Sequence, residues 1–157
     1  MARPRFNPRR LGGVLSGVWV GLMVGTALIG TPAGFALAPR DVAGKLAGFM
    51  LEREATVSLV IGAVMLILVR ALARDDSATS GRSLMSTELL CVMGALFCTL
   101  MGHYGLQPWI AAARTGQGAL SFGVLHGISV AFFGVKALLV LTLAWRLSAP
   151  TPSSAQA

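Results

Sequence analysis

Charged side chains are scarce in this chain of 157 residues, making up only 12% of it. An average soluble domain carries roughly 25%. No charged residue lies between Arg10 and Arg40, and that stretch is longer than the roughly 20 residues that cross a bilayer as a helix. These absences exclude an ordinary soluble protein and predict an integral membrane protein.

Residues that commonly carry chemistry are also few, with two histidines, two cysteines and one tyrosine. No HExxH or CxxC spacing occurs. Cys91 and Cys98 fall in one apolar run, where a helix would hold them about 10 Å apart, too far for a disulfide. No nucleophile–base arrangement can be recognised, and a chain of this length has no room for a separate soluble catalytic module. We therefore expect a protein that is not an enzyme.

The formal net charge of +7 reflects arginines at the edges of the apolar runs. Basic residues at such positions set membrane topology and meet anionic lipid headgroups. We expect membrane lipid, and no nucleic acid, as the partner of these charges.

Four apolar runs predict an all-α, integral membrane four-helix bundle over residues 11–147. The predicted spans are 11–35, 55–73, 85–106 and 120–145. Residues 39–54 are apolar at helical spacing among charges, which predicts a short interfacial amphipathic helix between helices 1 and 2. Residues 74–82 read as a polar loop, residues 1–10 as a basic cytoplasmic N-terminus, and residues 148–157 as a disordered tail.

The basic residues flanking the spans are unequally distributed between the two sides of the membrane. The richer side holds Arg3, Arg5, Arg9, Arg10, Arg70, Arg74, Arg82 and Arg146. The poorer side holds Arg40, Lys45, Arg53 and Arg114. Because basic flanks stay in the cytoplasm, we expect both termini there, in a bacterial inner membrane.

Small residues recur at four-residue spacing and would let helices approach closely. In helix 1 they are Gly13, Gly17, Gly21 and Gly25; in helix 3, Gly94, Cys98 and Gly102; in helix 4, Gly123, Gly127 and Ala131. They either pack the bundle or, in helix 1, form a seam for a homo- or hetero-oligomer.

Three polar side chains fall at one predicted depth near the outer leaflet: Glu54, His103 and His126. Such a set could hold zinc or copper, relay a proton or, through the histidine pair, ligate haem. In the structural alternative, His126 bonds a backbone carbonyl or Ser129, and His103 lies idle in the interface.

Two further features of helices 3 and 4 have a chemical and a structural interpretation. Helix 3 carries the soft ligands Cys91, Met93, Cys98 and Met101, which suit Cu(I) but are also ordinary apolar filler. In helix 4, Lys136 lies well inside a span, so we expect it to snorkel toward the cytoplasm or to pair with Glu88.

Two stretches, 30–55 and 104–129, resemble a family pattern. The first combines small residues and proline with a later Phe and Gly; the second pairs Pro and Arg in a loop before Phe-x-x-x-His-Gly-x-Ser. Together they resemble the bacterial domain-of-unknown-function family 4149, related to transmembrane protein 205 of animals. The residues that match the pattern are Pro39, Gly44, Phe49, Pro108, Arg114, Phe122, His126, Gly127 and Ser129.

The resemblance implies a four-span membrane protein. The biochemical activity of the family is not established, but the association of the animal member with drug resistance and export points to transport. We expect a non-enzymatic structural or accessory protein, or a handler of a hydrophobic solute, without a cofactor. The alternative is a metal- or haem-binding membrane protein that uses His103 and His126.

Overall fold

The computed structural model describes residues 7–80, 83 and 85–149. Over these residues, four helices are long and apolar enough to cross a membrane. We call them α1 (Pro8–Leu37), α2 (Arg40–Ser80), α3 (Thr87–Arg114) and α4 (Phe122–Ser148). The predicted all-helical, four-span architecture is confirmed.

Helix α1 begins at Pro8 because the sequence supplies a strong start signal. The Asn7 side chain accepts hydrogen bonds from the backbone N–H groups of Arg9 (3.0 Å) and Arg10 (3.3 Å). Pro8, the first helical residue, has no N–H that needs a partner.

Two of the long helices contain a π-helical turn just before a proline. In α1 the turn is Gly25–Gly30, ahead of Pro32; in α3 it is Leu100–Gly105, ahead of Pro108. A proline lacks an N–H and crowds the preceding turn, and a wider turn relieves both problems. This is why α1 continues to Leu37 instead of stopping at Pro32.

Helix α2 differs most from the sequence-based prediction. The amphipathic segment 39–54 is helical from Arg40 onward, but it continues without a break into the second span, so it is not a separate interfacial element. The prediction of a polar loop over 74–82 is wrong as far as Ser80, because α2 stays helical to that residue. Residues 81, 82 and 84, and the predicted tail from 150 onward, lie outside the described residues.

The helices pack as a closed four-member ring in which α1 contacts α2 and α4, and α3 contacts α2 and α4. One core joins all four helices through Trp19, Met65, Val92, Val140 and Leu143. A Cβ placed on Gly12 of α1 would lie 3.0 Å from Leu147 of α4. The chain therefore enters and leaves the bundle at the same end, which we call the terminal end.

Candidate functional site: a buried ion pair and its cavity

A salt bridge between α2 and α4 lies inside the bundle. Lys136 Nζ is 2.9 Å from both carboxylate oxygens of Glu54. Both residues are only 3% exposed. Charges at such depth are expensive to bury and survive only when they are paired and hydrogen-bonded.

The pair is extended by two neutral side chains, so that three helices share one network. The Ser58 hydroxyl donates to Glu54 Oε1 at 2.6 Å and accepts from Trp19 Nε1 of α1 at 2.7 Å. Lys136 Nζ also lies 3.3 Å from Ser58 Oγ. Ser58 and Trp19 are fully buried, so the polar groups of this interior are satisfied by one another.

The prediction that Lys136 snorkels or pairs with Glu88 is wrong. Its ammonium stays in the bundle on Glu54, and it also lies 5.0 Å from the centre of the Phe133 ring. Glu88 instead accepts a hydrogen bond from Arg146 Nε at 2.9 Å. Glu54 thus pairs with α4 inside the bundle, and Glu88 pairs with α4 at the terminal end.

A small cavity of about 50 Å³ lies beside the ion pair. Its lining includes Glu54, Lys136, Cys98, His103 and Ser129. The volume exceeds what one water molecule needs, and the walls offer polar partners. Four residues that the sequence analysis marked, namely Glu54, His103, Ser129 and Lys136, therefore meet at one place.

Part of the wall of this cavity lies where α3 and α4 approach each other closely. The Ser129 hydroxyl of α4 donates to the carbonyl of Gly102 at 2.9 Å. A Cβ on Gly102 would lie 2.5 Å from Cβ of Phe132, so only glycine lets the two helices come this near.

His126 does not line the cavity. Its ring stacks on Phe122 at 5.7 Å and an interplanar angle of 10°, and the Arg114 guanidinium lies 5.3 Å from the centre of the same Phe122 ring. These three residues form a short stack where α3 connects to α4. Pro108 lies at the start of the last helical segment of α3, Gln107–Arg114, and does not line the cavity.

The two histidines have different surroundings. His103 is half-buried and makes an edge-to-face contact with Tyr104, its neighbour on α3, at 4.9 Å; His126 is exposed. Within the part of the chain that the structure describes, no three or more His, Cys, Asp or Glu side chains are grouped so that they could hold a metal ion.

An apolar groove of about 470 Å³ runs along the lipid-facing side between α3 and α4. Phe97 and Phe132 form its aromatic part, with ring centres 6.3 Å apart and edge to face. Small residues create the concavity, since Gly94, Cys98 and Ala131 all line it. Cys98 also lines the polar cavity, so the groove and the ion-pair site share one residue.

Sequence reasoning missed the roles of Ser58 and Trp19. A signal for Ser58 was present, because a hydroxyl four residues after Glu54 lies on the same helical face. For Trp19 no signal was available, because its partner is on another helix and 39 positions away.

Comparison with known proteins gives one informative result. The model of a domain of unknown function, DUF4149, matches residues 14–119. The chain belongs to this family. No curated protein and no solved structure matches the chain.

The DUF4149 match covers only part of the buried polar network. Trp19, Glu54, Ser58 and His103 lie within the matched residues, whereas Lys136 on α4 lies beyond them. The ion pair therefore joins the DUF4149 region of the chain to its last helix.

Proposed function

We propose that this multi-pass DUF4149 protein is a non-enzymatic membrane protein that holds a hydrophobic solute against the α3–α4 face of its bundle. The observation that carries the proposal is the groove containing Phe97, Phe132 and Ala131. Its volume of about 470 Å³ falls within the roughly 300–1,000 Å³ range of small-molecule sites. The groove has an almost wholly apolar lining, which suits hydrocarbon or aromatic surface through van der Waals contact.

The buried network supports this role by fixing the walls of the groove. Lys136 ties α4 to α2, and Ser129 ties α4 to α3 at Gly102. Because these contacts fix the positions of α3 and α4, the groove needs little conformational change when a solute enters, which favours binding.

Photolabelling of the full-length protein in detergent micelles tests the proposal. The probe is a long-chain alcohol that carries an alkyl diazirine, with the unmodified alcohol as competitor. We expect saturable labelling near Phe97 and Phe132, because both rings face the groove. Excess unmodified alcohol should suppress this labelling.

Two variants of α4 make the experiment specific. Ala131→Phe places a ring in the groove and should abolish the saturable labelling. Val130→Phe adds the same side chain at the neighbouring exposed position, which does not line the groove, and should leave the labelling intact. Labelling that never saturates and is equal in both variants would refute the proposed site.

The second hypothesis, a metal or haem protein that uses His103 and His126, stays a prediction. A haem bound by the purified protein would show a Soret band in its absorption spectrum, and bound copper would appear in elemental analysis. Substitution of His126 by alanine should then remove the signal.

A further inference from the structure

A second polar cavity, of about 310 Å³, lies at the terminal end of the bundle. All four helices contribute to its walls, with Arg9 from α1, Ala73 from α2, Glu88 from α3 and Arg146 from α4. Ala73 is 19 residues beyond Glu54 on α2, which corresponds to about 28 Å along a helix. This cavity is therefore separate from the ion-pair site and from the groove.

Among the described residues that line this cavity, the charges are not balanced. Two guanidinium groups, Arg9 and Arg146, face one carboxylate, Glu88. Arg146 donates its Nε–H to Glu88, and its guanidinium group carries further N–H donors. Arg9 Nε is buried and donates to none of the described residues. A buried donor without an acceptor is destabilising, so an anion at this position would stabilise the arrangement.

The start of α3 adds to the same preference. Ser86 caps the helix by accepting from the N–H of Leu89 at 3.2 Å, and both Ser86 and Thr87 line the cavity. The first N–H groups of a helix have no partner within it, and its dipole is positive at this end. These groups strengthen the field that the two arginines already set.

We propose that this cavity, which we call the Arg9–Arg146 cavity, binds a phosphate group. Guanidinium groups recognise phosphate oxygens through paired, charge-assisted hydrogen bonds, and the wall also offers hydroxyl groups. Both arginines lie where their helices leave the apolar spans, which is the depth of lipid phosphates. The phosphate is carried either by an anionic lipid or by free inorganic phosphate.

Native mass spectrometry of the full-length protein in detergent tests the binding of lipid phosphate. Phosphatidic acid and phosphatidylglycerol carry the phosphate as monoester and diester, and diacylglycerol with the same acyl chains lacks it. We expect the two phospholipids to bind and diacylglycerol not to bind. Equal binding of all three would overturn the proposal.

Two neighbouring arginines provide a matched comparison. Arg9→Gln removes the buried donor and should weaken the binding of phosphatidic acid about tenfold, the size of one charge-assisted hydrogen bond. Arg10→Gln removes the same charge one residue away, on a side chain that does not line this cavity, and should change affinity far less. Equal losses would mean that a diffuse basic surface attracts the lipid, and the proposal would fail.

A second pair of variants covers the case in which Arg9→Gln also lowers the melting temperature. Arg146→Gln should weaken phosphatidic acid binding, whereas Arg74→Gln, at an exposed position near the end of α2, should not. If neither Arg9→Gln nor Arg146→Gln weakens binding relative to its control, the cavity is not the phosphate site.

Inorganic phosphate distinguishes the two sources of the ligand. If free phosphate displaces phosphatidic acid and the effect is lost in Arg9→Gln, the cavity accepts soluble phosphate. If free phosphate leaves lipid binding unchanged while the Arg9 comparison holds, the ligand is a lipid headgroup. Both results support the site, and neither depends on the α3–α4 groove.

Discussion

Ser58 has a larger role than its size suggests, because it is the one hydroxyl that connects the tryptophan of α1 to the charges of α2 and α4. It accepts from Trp19 and donates to Glu54. Trp19, Ser58, Glu54 and Lys136 are all buried, so bonds lost on removal of the hydroxyl are not freely replaced by bulk water.

Replacing Ser58 with alanine should therefore lower the free energy of unfolding by about 1–3 kcal/mol, since the buried Trp19 N–H would lose its acceptor. Reversible unfolding in mixed micelles measures the change. Thr56→Ala is the matched control, because Thr56 is exposed and lies 3.4 Å from the Tyr104 hydroxyl. Equal stability of the two variants would show that the buried bonds contribute nothing.

The behaviour of Lys136 shows how far single residues can be read from sequence. Its position deep in a span, and its need for a partner, were both predictable from charge patterning. Its choice of Glu54 over Glu88 was not, because that choice depends on which faces of α2 and α3 turn toward α4. Arg146, at the end of α4, supplies the partner that Glu88 needs.

The glycines of α1, α3 and α4 look alike in sequence but differ in what surrounds them. On α3, a Cβ at Gly102 would meet Phe132 at 2.5 Å, and one at Gly94 would meet Leu139 at 2.8 Å. A Cβ on Gly127 of α4 would have nothing within 4 Å. The four-residue spacing indicates smooth helix faces, and only the packed structure shows which of them are covered.

Gly102→Ala and Gly127→Ala should therefore have different effects on the stability of the bundle. The first forces backbone and Phe132 Cβ apart and should cost about 1–3 kcal/mol. The second adds a methyl group in open space and should leave the melting temperature unchanged or slightly raised, because alanine favours a helix more than glycine does. A similar melting temperature for both variants would mean that α3 and α4 do not approach closely at Gly102.

The four glycines predicted to form a seam on α1 differ in their surroundings. Gly13 lies against Ser148, whereas a Cβ on Gly17, Gly21 or Gly25 would have nothing within 4 Å. Those three positions are not used for packing among the described residues. An oligomer formed through this face stays a prediction. It is tested by chemical crosslinking of the Gly21→Leu variant, compared with crosslinking of the native protein.

Prolines had a weaker effect on the helices than their sequence signals indicated. Pro32 and Pro108 each follow a π-helical turn that absorbs the missing hydrogen bond, so the helical path resumes beyond them. The four-span count does not depend on where the helices end, because span number depends on hydrophobic length, whereas the end of a helix depends on local hydrogen bonding.

For the molecule as a whole, the sequence was sufficient for architecture and insufficient for the site. Hydrophobic runs and arginine edges predict four spans, and the shared position of Gly12 and Leu147 agrees with an even number of crossings. The cytoplasmic location of both termini, and the bacterial inner membrane, stay predictions from the distribution of basic residues. The ion pair, the polar cavity and the groove arise from contacts between helices, which a linear pattern does not encode.

A buried charge pair joins α2 to α4 across the interior of this bundle, and a double-mutant cycle tests its contribution to stability most directly. Glu54→Gln and Lys136→Met should each lower the free energy of unfolding by about 3–5 kcal/mol, because each leaves one charge buried without its partner. The double variant should recover most of that loss, since no unpaired charge remains.

The pair at the terminal end is the control for this cycle. Glu88 and Arg146 are also 2.9 Å apart, but the Arg146 side chain is 45% exposed, so Glu88→Gln and Arg146→Gln should each cost less than about 1 kcal/mol. Unfolding free energies measured in mixed micelles for both sets of variants decide the question. Recovery in the Glu54→Gln/Lys136→Met double variant is the expected result, whereas a loss equal to the sum of the two single losses would contradict the account.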